Sequence, residues 1–219
     1  MLQGIHSMND FKATAPSLVG TCMMGFATPL PDVPAMTGTR LQLELLLQEA
    51  TIDLSAVSAA ILADAGATLQ ILRLIGEEFP EEEGRPTRME DCLVSLTMER
   101  IYQAVCASRI PQDSRVMTEW QRCRRVAESA RELARCVDGF CPDEAYMVGL
   151  LHAVGRLPRL LGWRMGAGEP QEVGVMLAES WRLPEFVVEA IRERRDGVGA
   201  QWSGMLAMAE RMAARGEWQ

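Results

Sequence analysis

The sequence predicts an all-α protein. Three observations carry that reading. Apolar residues recur at intervals of three and four along most of the chain, and no stretch alternates apolar and polar residues for the length of a strand. The hydrophobic content, 48% of 219 residues, is Leu, Ala and Met rather than β-branched or aromatic, with aromatics at 5%. A chain of this length and composition builds a substantial core, in one large domain or two small ones.

Residues 1–36 are punctuated by Gly, Pro and Thr without sustained periodicity and read as an extended or partly disordered arm. Residues 37–219 read as one helical domain in two halves, 37–110 and 115–219. Leu41, Leu43, Leu45, Leu46 and Leu47 crowd a first helix. Asp53 and Ser55 can cap a second, which turns Ala56, Val57, Ala60 and Ile61 inward. A break is expected at Ala65-Gly66, then a third helix through Leu69, Ile71, Leu72, Leu74 and Ile75. Pro80 to Pro86 is a loop with a solvated acidic run. One helix, bent near Thr97, is expected from Met89 to Ala107, followed by a linker at Pro111–Ser114.

The second half opens with the clearest stripe in the chain: Trp120, Cys123, Val126, Ala127, Ala130, Leu133 and Ala134. Asp138-Gly139 ends it. Pro142-Asp143-Glu144 starts the next helix, with a preset φ and two carboxylates at the positive end of the dipole. Val173, Met176, Leu177 and Trp181 form another stripe, halted at Leu183-Pro184. Further helices are expected over Phe186–Arg194 and Ala200–Ala214, and Gly166, Gly168 and Gly174 read as a hinge between helices.

The formal net charge of −8 and the pI of about 4.9 disfavour nucleic acid and anionic membrane as partners. No run approaches the roughly 20 apolar residues of a membrane span. The apolar run Leu18–Met24 is too short, and lacks the basic flank, for a signal sequence. Six cysteines (22, 92, 106, 123, 136 and 141), most on apolar helix faces, read as free thiols in a reducing cytoplasm.

The chemistry-bearing stretch is Gly149-Leu150-Leu151-His152-Ala153-Val154-Gly155-Arg156-Leu157. Adjacent His and Asp on a helix can share one divalent cation, but here the residue after His152 is Ala153. One imidazole does not hold a catalytic metal without further ligands. With Leu177-Ala178-Glu179-Ser180-Trp181-Arg182-Leu183-Pro184 and the Ala190-Ile191 that follows, with Trp120 to Ala127, and with Asp64 to Ile75, this stretch resembles the HDOD family over roughly residues 40–196. That family is the non-catalytic branch of the HD superfamily found in bacterial signalling proteins. The resemblance implies an HD-superfamily-like helical bundle.

Measured against that family, the departures fall on the positions where metal-dependent HD relatives bind ions. Arg122 stands where they usually have a first His, Ala153 replaces the Asp, and Pro170 replaces a His ahead of Val173-Gly174. Arg194 and Arg195 replace a His pair. The resemblance therefore implies a degenerate cleft at Arg122, His152, Ala153, Arg156 and Pro170, with no catalytic residue, no metal and no cofactor. His152 is then a buried packing residue. Cys123, Cys136 and Cys141 could join His152 around zinc, but the Cys136–Cys141 spacing is not a zinc knuckle, and buried thiols are the simpler reading.

The expected function is a non-enzymatic signalling module that binds other, unidentified signalling proteins, or forms a homo-oligomer. The Met205, Met208 and Met212 stripe offers an adaptable contact surface, unless it is core. An alternative is a sensor whose Arg122, Arg125 and Arg156 hold a nucleotide or phosphate, since guanidinium forks suit phosphate; a solvated face paired with Glu is the plainer reading. A third is a surviving metal-dependent phosphohydrolase that uses other carboxylates.

Overall fold

The computed structural model describes residues 33–81, 83–106, 114–163, 168–196 and 201–216. Expectations for most of the 1–36 arm, including His6 and Cys22, for Pro111–Asp113 and for Gly166 fall outside the described residues. Among the described residues there are eleven α-helices, one 3-10 turn and no strand, as the periodicity predicts. The first half contains α1 (Thr37–Leu47), α2 (Leu54–Leu62), α3 (Ala65–Glu78), α4 (Met89–Val94) and α5 (Met98–Cys106). The second contains α6 (Ser114–Cys136), α7 (Pro142–Leu151), the 3-10 turn Val154–Arg156, α8 (Leu157–Leu161), α9 (Pro170–Ser180), α10 (Glu185–Asp196) and α11 (Gln201–Arg215).

Local chemistry sets the boundaries. Asp53 caps α2, accepting from Ser55 N at 2.9 Å and Ala56 N at 3.2 Å. Asp64 caps α3 in the same way, accepting from Gly66 N at 2.8 Å and Ala67 N at 3.2 Å. The expected break at Ala65-Gly66 is therefore displaced to Asp64, and Ala65 and Gly66 lie in the first turn of α3. Glycine serves close approach there: a Cβ at residue 66 would stand 2.1 Å from the Pro34 carbonyl oxygen. The single bent helix expected over Met89–Ala107 is two helices, α4 and α5, parted at Ser95–Thr97. The Thr97 hydroxyl accepts from Arg100 N at 3.3 Å.

The packed chain begins ahead of α1. Val33 and Ala35 are fully buried, Gln70 Nε2 donates to Val33 O at 2.9 Å, and Met36 N donates to the second Asp64 oxygen at 2.6 Å. One buried carboxylate thus ties the entry segment to the α3 N-terminus.

Two features position the site. The first is the α6–α7 hairpin, which packs backbone to backbone: a Cβ at Gly149 would stand 2.6 Å from Ala127 Cα. Tyr146 of α7 reaches into the first half, donating from its hydroxyl to Leu62 O at 2.9 Å, with Arg131 stacked over its ring at 4.0 Å. The second is α11. It buries Trp202, Met205, Leu206, Ala209 and Ala213 and lies against α6 and α10. Its first turn is capped from α10, where Glu193 Oε2 accepts from Trp202 N at 2.9 Å and Ser203 N at 3.0 Å.

Gly174 is no hinge. It sits inside α9, where its missing side chain lets Gly155 and Ile191 come close. Among the described residues no single helix is long and apolar enough to cross a membrane; α2 and α3 pass that test only as a pair bent by 114°.

Candidate functional site

The residues around His152 form a closed ion-pair cluster. α7 ends at Leu151, and His152 is its C-cap, with a side chain only 1% exposed. Its Nδ1 lies 2.6 Å from Gly149 O, a carbonyl oxygen that can only accept, so the Nδ1 proton is held there. Nε2 then points at Glu210 Oε1 of α11, 3.3 Å away. A neutral ring offers a lone pair at Nε2, which opposes a carboxylate oxygen; a second proton makes it a donor.

Arg122 of α6 donates from Nη2 to Glu210 Oε1 at 3.0 Å and from Nη1 to Glu119 Oε1 at 3.0 Å. Arg194 of α10 donates to Glu210 Oε1 at 3.2 Å, and Arg156 donates to Glu119 Oε1 at 3.0 Å. Contact with the His152 ring, opposed by burial and assisted by the Arg194 charge, draws the Glu210 carboxyl down to about 2. Cys123, beneath the cluster, has its thiol pushed up to about 12 by burial and is a packing group.

The expected cleft residues divide here. His152, Ala153, Arg156 and Pro170 line one small cavity of about 40 Å³, room for a water or two. Arg122 joins them through Glu210. The turn is closed against α9: a Cβ at Gly155 would stand 1.7 Å from Pro170 O. Arg125, expected with Arg122 and Arg156, is exposed on α6, while both of its companions are engaged by carboxylates. Of the methionines, Met205 is buried, Met212 half-buried and Met208 47% exposed.

Three cluster members lie outside the expected cleft. Arg194 was visible as a replaced His position. Glu119 follows one turn before Arg122, a spacing that permits a helical ion pair. Glu210 left no signal, because it comes from α11, beyond the matched segments, and its partners lie 16 to 88 residues away.

A divalent metal does not fit this donor set. One imidazole and two carboxylates are ringed by three guanidiniums, which repel a cation and already hold the carboxylates. Among the described residues no group of three or more His, Cys, Asp or Glu could hold a metal ion. The zinc alternative fails on distance: Cys123 and Cys136 are about 20 Å apart along α6, and Cys136 and Cys141 are exposed.

Comparisons with known proteins accord with this fold. A family model for the HDOD domain matches residues 33–167. An uncharacterized protein of Treponema pallidum (strain Nichols) is 22% identical over 195 residues, covering 76% of this chain and 38% of its own length. The chain therefore spans well under half of that relative. Two crystal structures of the MmoQ response regulator from Methylococcus capsulatus (Bath) share the fold. One has a TM-score of 0.68 at 18% identity, covering 84% of this chain and 87% of its own. The other has 0.65 at 20%, covering 83% and 84%.

Proposed function

From the premise that this chain belongs to the HDOD domain family, we propose that it is a non-enzymatic regulatory module that works by binding other proteins. One observation carries this reading: Glu210 of α11 sits against His152, Arg122 and Arg194, so the chain's own side chains take up the place where HD relatives would work on a substrate. A hydrolytic site needs an open coordination position and a metal-activated water, and the guanidiniums here oppose both. The structural likeness to a response regulator is compatible with a regulatory setting.

Met208, which is exposed, and Met212, which is half-buried, continue the α11 stripe of the buried Met205 towards its edge and are the contact surface this reading favours. Phosphate sensing through Arg122, Arg125 and Arg156 has less support, because Arg122 and Arg156 are occupied by carboxylates.

The test has two arms. Protein purified without chelator, then loaded with manganese or iron, should retain less than stoichiometric metal and turn over neither phosphomonoesters nor phosphodiesters. Stoichiometric metal with turnover would refute the non-enzymatic reading. Partners cross-linked in cells of the source organism should be lost with Met208→Glu; an unchanged partner set would refute the α11 surface.

A further inference from the structure

Glu210 is held as a bound anion would be. Its Oε1 alone lies 3.0 Å from Arg122 Nη2, 3.2 Å from Arg194 Nη1 and 3.3 Å from His152 Nε2. These groups come from α6, α10 and the end of α7, and they converge on one point from three sides. The His152 side chain is 1% exposed, and among the described residues its Nε2 has no aligned hydrogen-bond partner, Glu210 Oε1 at 3.3 Å being its polar neighbour. Two guanidiniums that converge on one oxygen make a constellation that recognises oxyanions, and the buried ring beside them joins as a donor when it carries a second proton. The charges point the same way: among the described residues three guanidiniums, Arg122, Arg156 and Arg194, pair with two carboxylates, Glu119 and Glu210, which leaves one positive charge in excess within the cluster.

We propose that Arg122, His152 and Arg194 form an oxyanion socket, and that the Glu210 carboxylate occupies it as a built-in ligand. The external ligand class is a small free oxyanion with an oxygen to place at the Oε1 position, inorganic phosphate being the simplest. While Glu210 is seated, its Oε1 occupies the point on which Arg122, Arg194 and His152 converge, so binding there requires exchange. A tethered carboxylate competes at an effective concentration of about millimolar or above; α11 therefore sets the affinity of the socket. The socket does not depend on the protein-binding reading above and differs from the Arg122, Arg125 and Arg156 set in two of its three members.

The test is chemical rescue in the full chain. Glu210→Ala empties the socket and enlarges the cavity. Inorganic phosphate, compared with sodium chloride at equal ionic strength and neutral pH, should raise its Tm by roughly 5–10 °C at about a hundredfold excess over the dissociation constant. Wild type should respond equally to both salts. Glu210→Ala with Arg194→Gln should lose the difference between phosphate and chloride. If Glu210→Ala does not fold, Glu210→Gln, which keeps the volume and removes the charge, should show a smaller rise of the same sign. Equal responses to phosphate and chloride in the folded Glu210 variant overturn the proposal. So does a phosphate response that persists without Arg194.

Discussion

Gly155→Ala tests how closely the HD-like turn is built against α9. A Cβ at residue 155 would stand 1.7 Å from Pro170 O and 2.8 Å from Gly174 N, where ordinary contact begins at 3.4 Å. Both obstacles are backbone, so no side-chain rotation relieves them, and the first turn of α9 must retreat by about 1.7 Å, the difference between those two distances. The rest of α9 resists, since Leu177 and Ala178 are fully buried. Overpacking of a close-packed site costs about 1–3 kcal/mol, and a backbone obstacle places this case near the top. Replacing glycine in a turn of regular φ returns at most about 1 kcal/mol. The expected loss is therefore about 2–3 kcal/mol, or roughly 4–12 °C in Tm. Urea denaturation followed by circular dichroism measures it. The internal control is Gly204→Ala in α11, where a Cβ meets nothing within 4 Å; it should stabilise by about 0.4–1 kcal/mol. A loss below about 1 kcal/mol for Gly155→Ala, or equal losses for the two changes, would refute the close-approach argument.

Three further outcomes follow from the structure. Glu210 titrates at about 2 when folded against 4.5 in the free side chain; a depressed acid adds stability that is complete above pH 4.5 and lost as the pH falls to about 2. The amount is on the order of 3 kcal/mol, so wild type should lose more stability than Glu210→Gln across that window, and parallel curves would contradict the ion-pair cluster. Asp64, raised by burial, runs the opposite way, losing stability as the pH rises above 3.8, but it is common to both proteins and cancels in the comparison. Thiol labelling of native protein, mapped by mass spectrometry, should mark the exposed Cys136 and Cys141 well before Cys92 and Cys123, both pushed up to about 12 by burial; early labelling of Cys123 would count against a closed floor beneath the cluster. Asp64→Ala removes the α3 cap and the tether to Met36 together and should cost about 2–3 kcal/mol in denaturant melts. A cost near that of an exposed cap alone, about 0.5 kcal/mol, would show that the entry segment holds without it.

Much of the fold was legible along the chain because helices are local. The Trp120-to-Ala134 stripe is α6, Pro142 is the first residue of α7, and the Val173-to-Trp181 stripe is α9 with its C-cap. Where reading and structure part, a contact distant in sequence intervenes. Gly66 and Gly174 look like breaks, yet each sits within a helix because Pro34 or Gly155 packs on it. Val33 and Ala35 carry no periodic signal, and Gln70 and Asp64 hold them in place.

The site divides along the same line. By itself the sequence determined the all-α class, the order of the helices and the glycine framework around His152, and it set Arg122, Ala153 and Arg194 at positions that the family resemblance singles out. These are properties of residue type and local spacing. What only the tertiary structure decided is what stands in the altered cleft. Glu210, 58 residues beyond His152, is brought there by the burial of Trp202, Met205 and Leu206 and by the Glu193 cap on α11. Ion pairing acts between groups a few ångströms apart in space, and nothing in the order of residues records that distance.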